Sequence, residues 1–243
     1  ASPSPAVFSS TLRRVILCSA TLFPEDADYL AIPGAASEFV EVESDFDPKR
    51  APFYYIPTTR VDMHMVEGQT RQWVNRIDQI IEGRLHWKGI VQTTSYQYVK
   101  AILERSRNSG IMLSHNPKTA REVIEEYRRA EAPCVLVSPA VGTGYDFPMD
   151  VCRFNIITKV PFPISADPVV GARIKDNKGY RNHLAAVSLR QRVGRGNRSK
   201  EDFCQSFILD DHFAWFRRAA RFSKAFQKTW RWSDQVPEAQ EVR

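Results

Sequence analysis

The stretch LRQRVGRGNR, residues 189–198, gathers an amide and several guanidinium groups within a single short segment. On a helix, Gln191, Arg195 and Arg198 stand at i, i+4 and i+7 and share one face. Behind them on the same stripe, Val187 and Leu184 are apolar, so the face passes from core to polar as if the helix ran out into a cleft. Guanidiniums in such a place can stabilise the charge spread over a transferring phosphoryl group, an effect worth roughly 10³–10⁵ in rate for an arginine finger. A solvated basic face would use the same residue types.

Three further candidates follow apolar runs. Ser19-Ala20-Thr21 comes after VILC; Thr94, Ser95 and Tyr96 come after GIVQT; Gly142-Thr143-Gly144-Tyr145-Asp146 comes soon after CVLVS. Hydroxyls and free backbone N–H groups at a strand-to-helix junction suit phosphate oxygens. Ordinary helix N-capping draws on the same residues.

These groups need elements to hold them. Strands are predicted at Arg13–Leu22, Phe39–Ser44, 89–94, 111–115, 134–138, 154–159 and 203–209. Helical spacing joins Trp73, Ile77, Ile80, Ile81 and Leu85, then Val99, Ile102 and Leu103, then Ala120, Val123, Ile124 and Tyr127, and later Leu184 and Val187. DFDPKRAPFYYIPTT, with three prolines, reads as a connector. Continuously apolar strands separated by helices predict an α/β fold: a mostly parallel sheet with helices on both faces. Ligands of such sheets sit outside the carboxyl ends of the strands. Arg217, Arg221, Lys224, Lys228 and Arg231 step by four, three, four and three, which on one helix gives a basic stripe. That stripe reads as a nucleic-acid track or as a solvated amphipathic helix. The last eleven residues, 233–243, read as a flexible tail.

The order SAT, TTSY, GTGYD, QxxGRxxR resembles motifs III to VI of superfamily 2 helicases. KVPFPISADP (Lys159 to Pro168), the connector and FILD (207–210) bring the resemblance closer to the DinG/XPD-like DNA helicases. It covers residues 13 to 212. The resemblance implies a RecA-like fold in which residues 1–35 carry the end of a first motor domain and the SAT junction, and residues 36–232 form the second motor domain. It implies an ATP site, with Mg²⁺, shared with that first domain: Arg195 and Arg198 at the γ-phosphate, Gln191 at the phosphate or attacking water, Gly144 and Asp146 facing the nucleotide. It further implies that Thr94, Ser95, Tyr96 and Thr143 hold single-stranded DNA, and that Ser19 and Thr21 couple hydrolysis to movement. Where the family often has an acidic residue before the glycine of motif V, this chain has Thr143. DNA repair is among the roles the resemblance leaves open.

Some chemistry is missing from the sequence. No GxxxxGK followed by Ser or Thr occurs, and Asp210-Asp211-His212 lies after the last strand, not before SAT. The chain alone is therefore expected to be inactive, as the C-terminal part of an ATP-dependent helicase. Cys18, Cys134, Cys152 and Cys204 form no CxxC pair, and the five histidines never pair at metal-ligand spacing. Buried thiols in a reducing, cytoplasmic setting are expected, with neither a metal site nor an iron–sulfur cluster in this chain. No apolar run reaches the length of a membrane-spanning helix. In 243 residues, 34 Lys and Arg against 28 Asp and Glu give a net charge of +6, which favours a polyanionic partner. The alternative reading is a non-catalytic module that binds single-stranded nucleic acid on a helicase-like fold.

Overall fold

A run such as CVLVS is stable as a strand covered on both faces, and the computed structural model, which describes residues 16–30, 32, 38–142, 144–164 and 166–240, builds a sheet of that kind. In chain order the elements are α1 (Glu25–Tyr29), β1 (Phe53–Thr59), α2 (Glu67–Glu82), β2 (Lys88–Gln92), α3 (Tyr96–Arg105), β3 (Met112–Ser114), α4 (Ala120–Arg129) and β4 (Cys134–Ser138). There follow β5 (Phe154–Ile157), α5 (Pro168–Asp176), α6 (Tyr180–Val193), β6 (Gln205–Asp210), α7 (Phe213–Ala219), α8 (Lys224–Lys228) and β7 (Trp230–Trp232). The strands form one sheet in the order β3-β4-β2-β5-β6-β1-β7, and every pairing is parallel. The α/β expectation is borne out.

Strand alternation sends Val91, Val135, Val137 and Ile156 to one face, where α2 and α3 cover them with Trp73, Ile77, Ile80, Val99 and Ile102. Ile90 and Leu136 point the other way, onto Ile124 and Tyr127 of α4. Ile157 and Ile208 meet Leu189 of α6 and Phe213 and Phe216 of α7. Trp73 is fully buried and its indole N–H donates to Thr158 O at 3.2 Å. Truncating it to alanine would cost about 3–5 kcal/mol.

Five expectations are corrected. Of the strand expected at Arg13–Leu22, residues 13–15 lie outside the described residues and 16–22 form no strand; Ile16 is exposed. Phe39–Ser44 likewise forms no strand among the described residues, and Val40 and Val42 are exposed. An apolar run becomes a strand only where a neighbour supplies the ladder, and none does here. The supposed connector instead contains β1. Its prolines sit where a sheet tolerates them: Pro52 just before the strand, and Pro57 at the register irregularity between Tyr55 and Thr59, beyond the three residues that pair with β7.

The basic stripe does not form either. α7 stops at Ala219, Ser223 caps α8 by accepting from Phe226 N, and the chain then becomes β7. Burial of Phe222 and Phe226, packed with the half-buried Trp230 as one aromatic cluster with centroids 5.2–5.8 Å apart, overrides the helical spacing. Nor do residues 233–240 behave as a tail. Ser233 N donates to Tyr55 O at 3.1 Å, and Val236 packs on the core. The buried Arg84 donates to Pro237 O at 2.7 Å and to Gln205 Oε1 at 2.8 Å. Its burial pulls the guanidinium pKa down to about 10.

Candidate functional site

The arginine segment begins in α6, whose buried residues Ala185, Ala186, Leu189 and Val193 keep one face on the sheet. The helix then ends. Gly194 is its C-cap, and residues Gly194–Gly196 form a 3₁₀ turn. Two glycines within three residues weaken the helix, and Gly196 has no room for a side chain: a Cβ there would lie 2.4 Å from Cys204 Sγ and 3.0 Å from Cys152 O. Gln191, Arg195 and Arg198 therefore do not share one helical face. Only Gln191 is in the helix.

What gathers the arginines is tertiary structure. The loop that leaves β4 runs from the carboxyl end of that strand to the amino end of β5. Phe147 N in this loop donates to Arg195 O at 3.2 Å. Asp202, fully buried, accepts from Arg198 N, Met149 N, Phe203 N and Arg153, so one carboxylate ties the arginine loop to the neighbouring loop. Met149, in that grip, adopts a φ of 52°. At the other end, Arg192 O accepts from Gln92 Nε2 at 2.9 Å and from Asn155 Nδ2 at 3.0 Å.

Arg195 donates from Nε to Gly142 O at 3.1 Å and from NH1 to Tyr145 O, and it lies 3.5 Å from Asp146. Arg198 reaches the same Asp146 oxygen at 3.0 Å. Their side chains are 12% and 44% exposed, and Asp146 is 52% exposed. Burial lowers the pKa of Arg195 while Asp146 opposes the shift. The two cations thus converge on one half-exposed carboxylate. They do so partway along the loop between β4 and β5, on the stretch from Gly142 to Asp146. Among the described residues the Gln191 amide makes no hydrogen bond. Gly144 is exposed with φ +80°, a left-handed conformation that suits glycine. Thr143 lies outside the described residues.

The hydroxyl turn after β2 is spent differently. Thr93 is buried and donates to Ser95 O at 3.2 Å. Ser95 is the N-cap of α3, accepting from Tyr98 N. The Tyr96 hydroxyl lies 3.4 Å from His115 Nδ1, and His115 Nε2 lies 2.7 Å from Ser138 Oγ. Thr94 alone is half-exposed with no side-chain bond among the described residues. Ser19 and Thr21 bond each other at 3.2 Å and line a hollow of about 250 Å³ with Tyr180 and His183 of α6. α1 is fastened there: Asp26 meets His183 at 2.8 Å, and Glu25 meets Arg221 at 2.5 Å.

Sequence reasoning missed Arg192. Its guanidinium lies over Gly142, where a Cβ would come within 2.9 Å, and donates to Thr93 O at 3.2 Å. Burial and the neighbouring Arg195 bring its pKa down to about 10. The signal available was Gln92 and Asn155, polar residues inside apolar strands. Of the cysteines, Cys134, Cys152 and Cys204 are buried as expected, and Cys18 is exposed, contrary to expectation. Among the described residues no group of three His, Cys, Asp or Glu could hold a metal, and no helix is long and apolar enough to cross a membrane. The guanidiniums suit a phosphate-bearing ligand, but the sequence holds no GxxxxGK loop, and among the described residues no carboxylate set could hold a metal.

A family model described as helicase C-terminal domain matches residues 84–229. No curated protein sequence matches significantly. Among solved structures, Xpd4 of S. tokodaii aligns with a TM-score of 0.57 at 17% identity over 84% of this chain and 43% of its own. An apo XPD structure aligns at 0.57 and 14% identity, over 69% of this chain and 37% of its own. S. cerevisiae Dbp5 bound to RNA and ADP–BeF₃ aligns at 0.52 and 10% identity, over 82% and 47%. At these identities the likeness is one of fold, and the chain spans less than half the length of each.

Proposed function

The chain belongs to the helicase C-terminal domain family, and from that premise we propose that it is the second motor domain of an ATP-dependent DNA helicase. Residues 1–35 close the first motor domain, and residues 36–232 form the second. The observation that carries this reading is the convergence of Arg195 and Arg198 on the half-exposed Asp146, 3.5 and 3.0 Å away. A carboxylate open to solvent is an exchangeable partner: it holds two guanidiniums in place and yields them to a phosphate oxygen. Mg²⁺-bound ATP, when held by the first domain, supplies the phosphoryl group. Arg195 and Arg198 neutralise its developing charge, Gln191 orients the attacking water with its amide, and Gly144 and Asp146 border the nucleotide. Thr94, Ser95, Tyr96 and Thr143 serve single-stranded DNA, and Ser19 and Thr21 connect the two halves.

In the protein that includes the first motor domain, Arg195→Ala and Arg198→Ala are expected to abolish ATP hydrolysis while leaving the melting temperature nearly unchanged. Wild-type turnover in both variants would overturn the assignment.

A second reading has one observation behind it. Arg195 is 12% exposed and already bonded to two carbonyls of its own chain, as a structural arginine would be in a non-catalytic module that binds single strands. It predicts a large loss of stability in Arg195→Ala, and that melting curve separates the two.

A further inference from the structure

The ends of β5 and β6 carry a feature that the motifs do not explain. Phe162, after β5, and Trp215, in α7 after β6, have rings 5.8 Å apart and only 9° from parallel. Phe216, fully buried, meets Phe162 at 5.3 Å and Trp215 at 6.1 Å, both edge-on, and fixes the pair from below. Trp215 nevertheless keeps 45% of its surface exposed. The result is a flat, rigid aromatic step open to solvent.

Cations border this step. The Arg181 guanidinium stands 4.7 Å from the Phe162 ring centre, and among the described residues no carboxylate pairs with it. Arg60, exposed just after β1, follows Thr59, whose carbonyl accepts from Asp211 N next to His212, and among the described residues it has no carboxylate partner. The His212 ring is 6.4 Å from Phe162. The nearby carboxylates are engaged: Asp210 with Val61 N, Val160 N and His212, Asp211 with Thr58 N, and Asp62 with His64 N. An exposed aromatic face flanked by unpaired guanidiniums is the combination on which unpaired nucleobases stack while their phosphates are neutralised.

We propose that Trp215, backed by Phe162, is a stacking platform for a base of single-stranded nucleic acid, with Arg181 and Arg60 at the flanking phosphates. This rests on the nucleic-acid half of the proposed function and extends it. Neighbouring strands are about 4.8 Å apart, and β5 separates β2 from β6, so the platform lies within a few nucleotides of Thr94.

The test is oligonucleotide binding by the 243-residue chain, with oligo-dT and an abasic oligonucleotide of equal length as probes. Wild type should bind oligo-dT at least about 5-fold more tightly than the abasic strand. Trp215→Ala should lose that margin, Trp215→Phe should keep most of it, and neither should alter the slope of affinity against salt. Arg181→Ala should lower that slope by about 0.7, the value for one phosphate of a single strand. Equal affinity of wild type for both probes would overturn the platform even if Trp215→Ala failed to fold, and so would a folded Trp215→Ala that kept the margin. Absence of any binding at low salt would instead sink the nucleic-acid reading itself.

Discussion

The hydroxyl turn after β2 and the arginine loop after α6 are both motif-bearing junctions, yet they use their polar groups in opposite ways. In the turn, Thr93, Ser95 and Tyr96 satisfy their own surroundings, by a buried bond, a helix cap and a contact to His115. In the loop, the backbone is held by others, through Asp202, Gln92 and Asn155; Arg198 is left on the half-exposed Asp146, while Arg195 shares that carboxylate and is also held by the carbonyls of Gly142 and Tyr145. A polar residue is available for chemistry when its partners are replaceable. A buried carbonyl is not replaceable; a half-exposed Asp146 is.

The contrast can be broken most sharply by turnover. With the first motor domain present, Arg195→Ala should lower kcat by about 10³-fold or more, measured as steady-state ATP hydrolysis. The next effect is on the fold. Asp202→Ala leaves Arg153 without its buried partner and orphans three N–H groups, so urea unfolding should show a loss of about 3–5 kcal/mol. Gly196→Ala should cost about 1–3 kcal/mol by overpacking against Cys204, again read from urea midpoints. In the turn, Ser95→Ala should cost about 1 kcal/mol as a lost cap. Thr94→Ala should stay within about 0.5 kcal/mol while weakening oligonucleotide binding; the reverse pattern would erase the distinction within the turn.

The smallest effect is a pH dependence. The hydrogen bond to Asp210, 2.8 Å away, holds the His212 pKa above the ordinary histidine range. A raised pKa in the folded state means the contribution is complete below about pH 6.5 and disappears as pH rises through the higher native value. The melting temperatures of wild type and His212→Ala should therefore differ more at about pH 5.5 than at about pH 9.

Most of the sheet was legible because β2, β4, β5 and β6 are buried along their whole length and their sequences are mostly apolar. β1 was not, because its prolines look like a connector until the sheet edge shows that they fall outside the ladder. β7 and α8 were hidden by a basic periodicity that has no energetic weight beside the burial of Phe226 against Trp230. At the site, the identity of the arginines was visible and their arrangement was not. Helical spacing put them on one face, whereas a glycine turn, Asp202 and Asp146 bring them together, and those contacts join residues about fifty positions apart. Arg192 stayed invisible because its role depends on Gly142, which only the fold brings beneath it.

The docked C-terminal residues bear on where this polypeptide can be cut. The family match stops at 229, but a protein trimmed there would lose β7 and the carbonyls of Pro237 and Glu238 that receive Arg84. The outer edge of β1 would then stand open as a template for intermolecular pairing, and a guanidinium in the interior would lose two of its acceptors while keeping Gln205 and Ile80. A C-terminal boundary drawn at 229 would favour aggregation through that edge, and eleven more residues, to 240, would cover it.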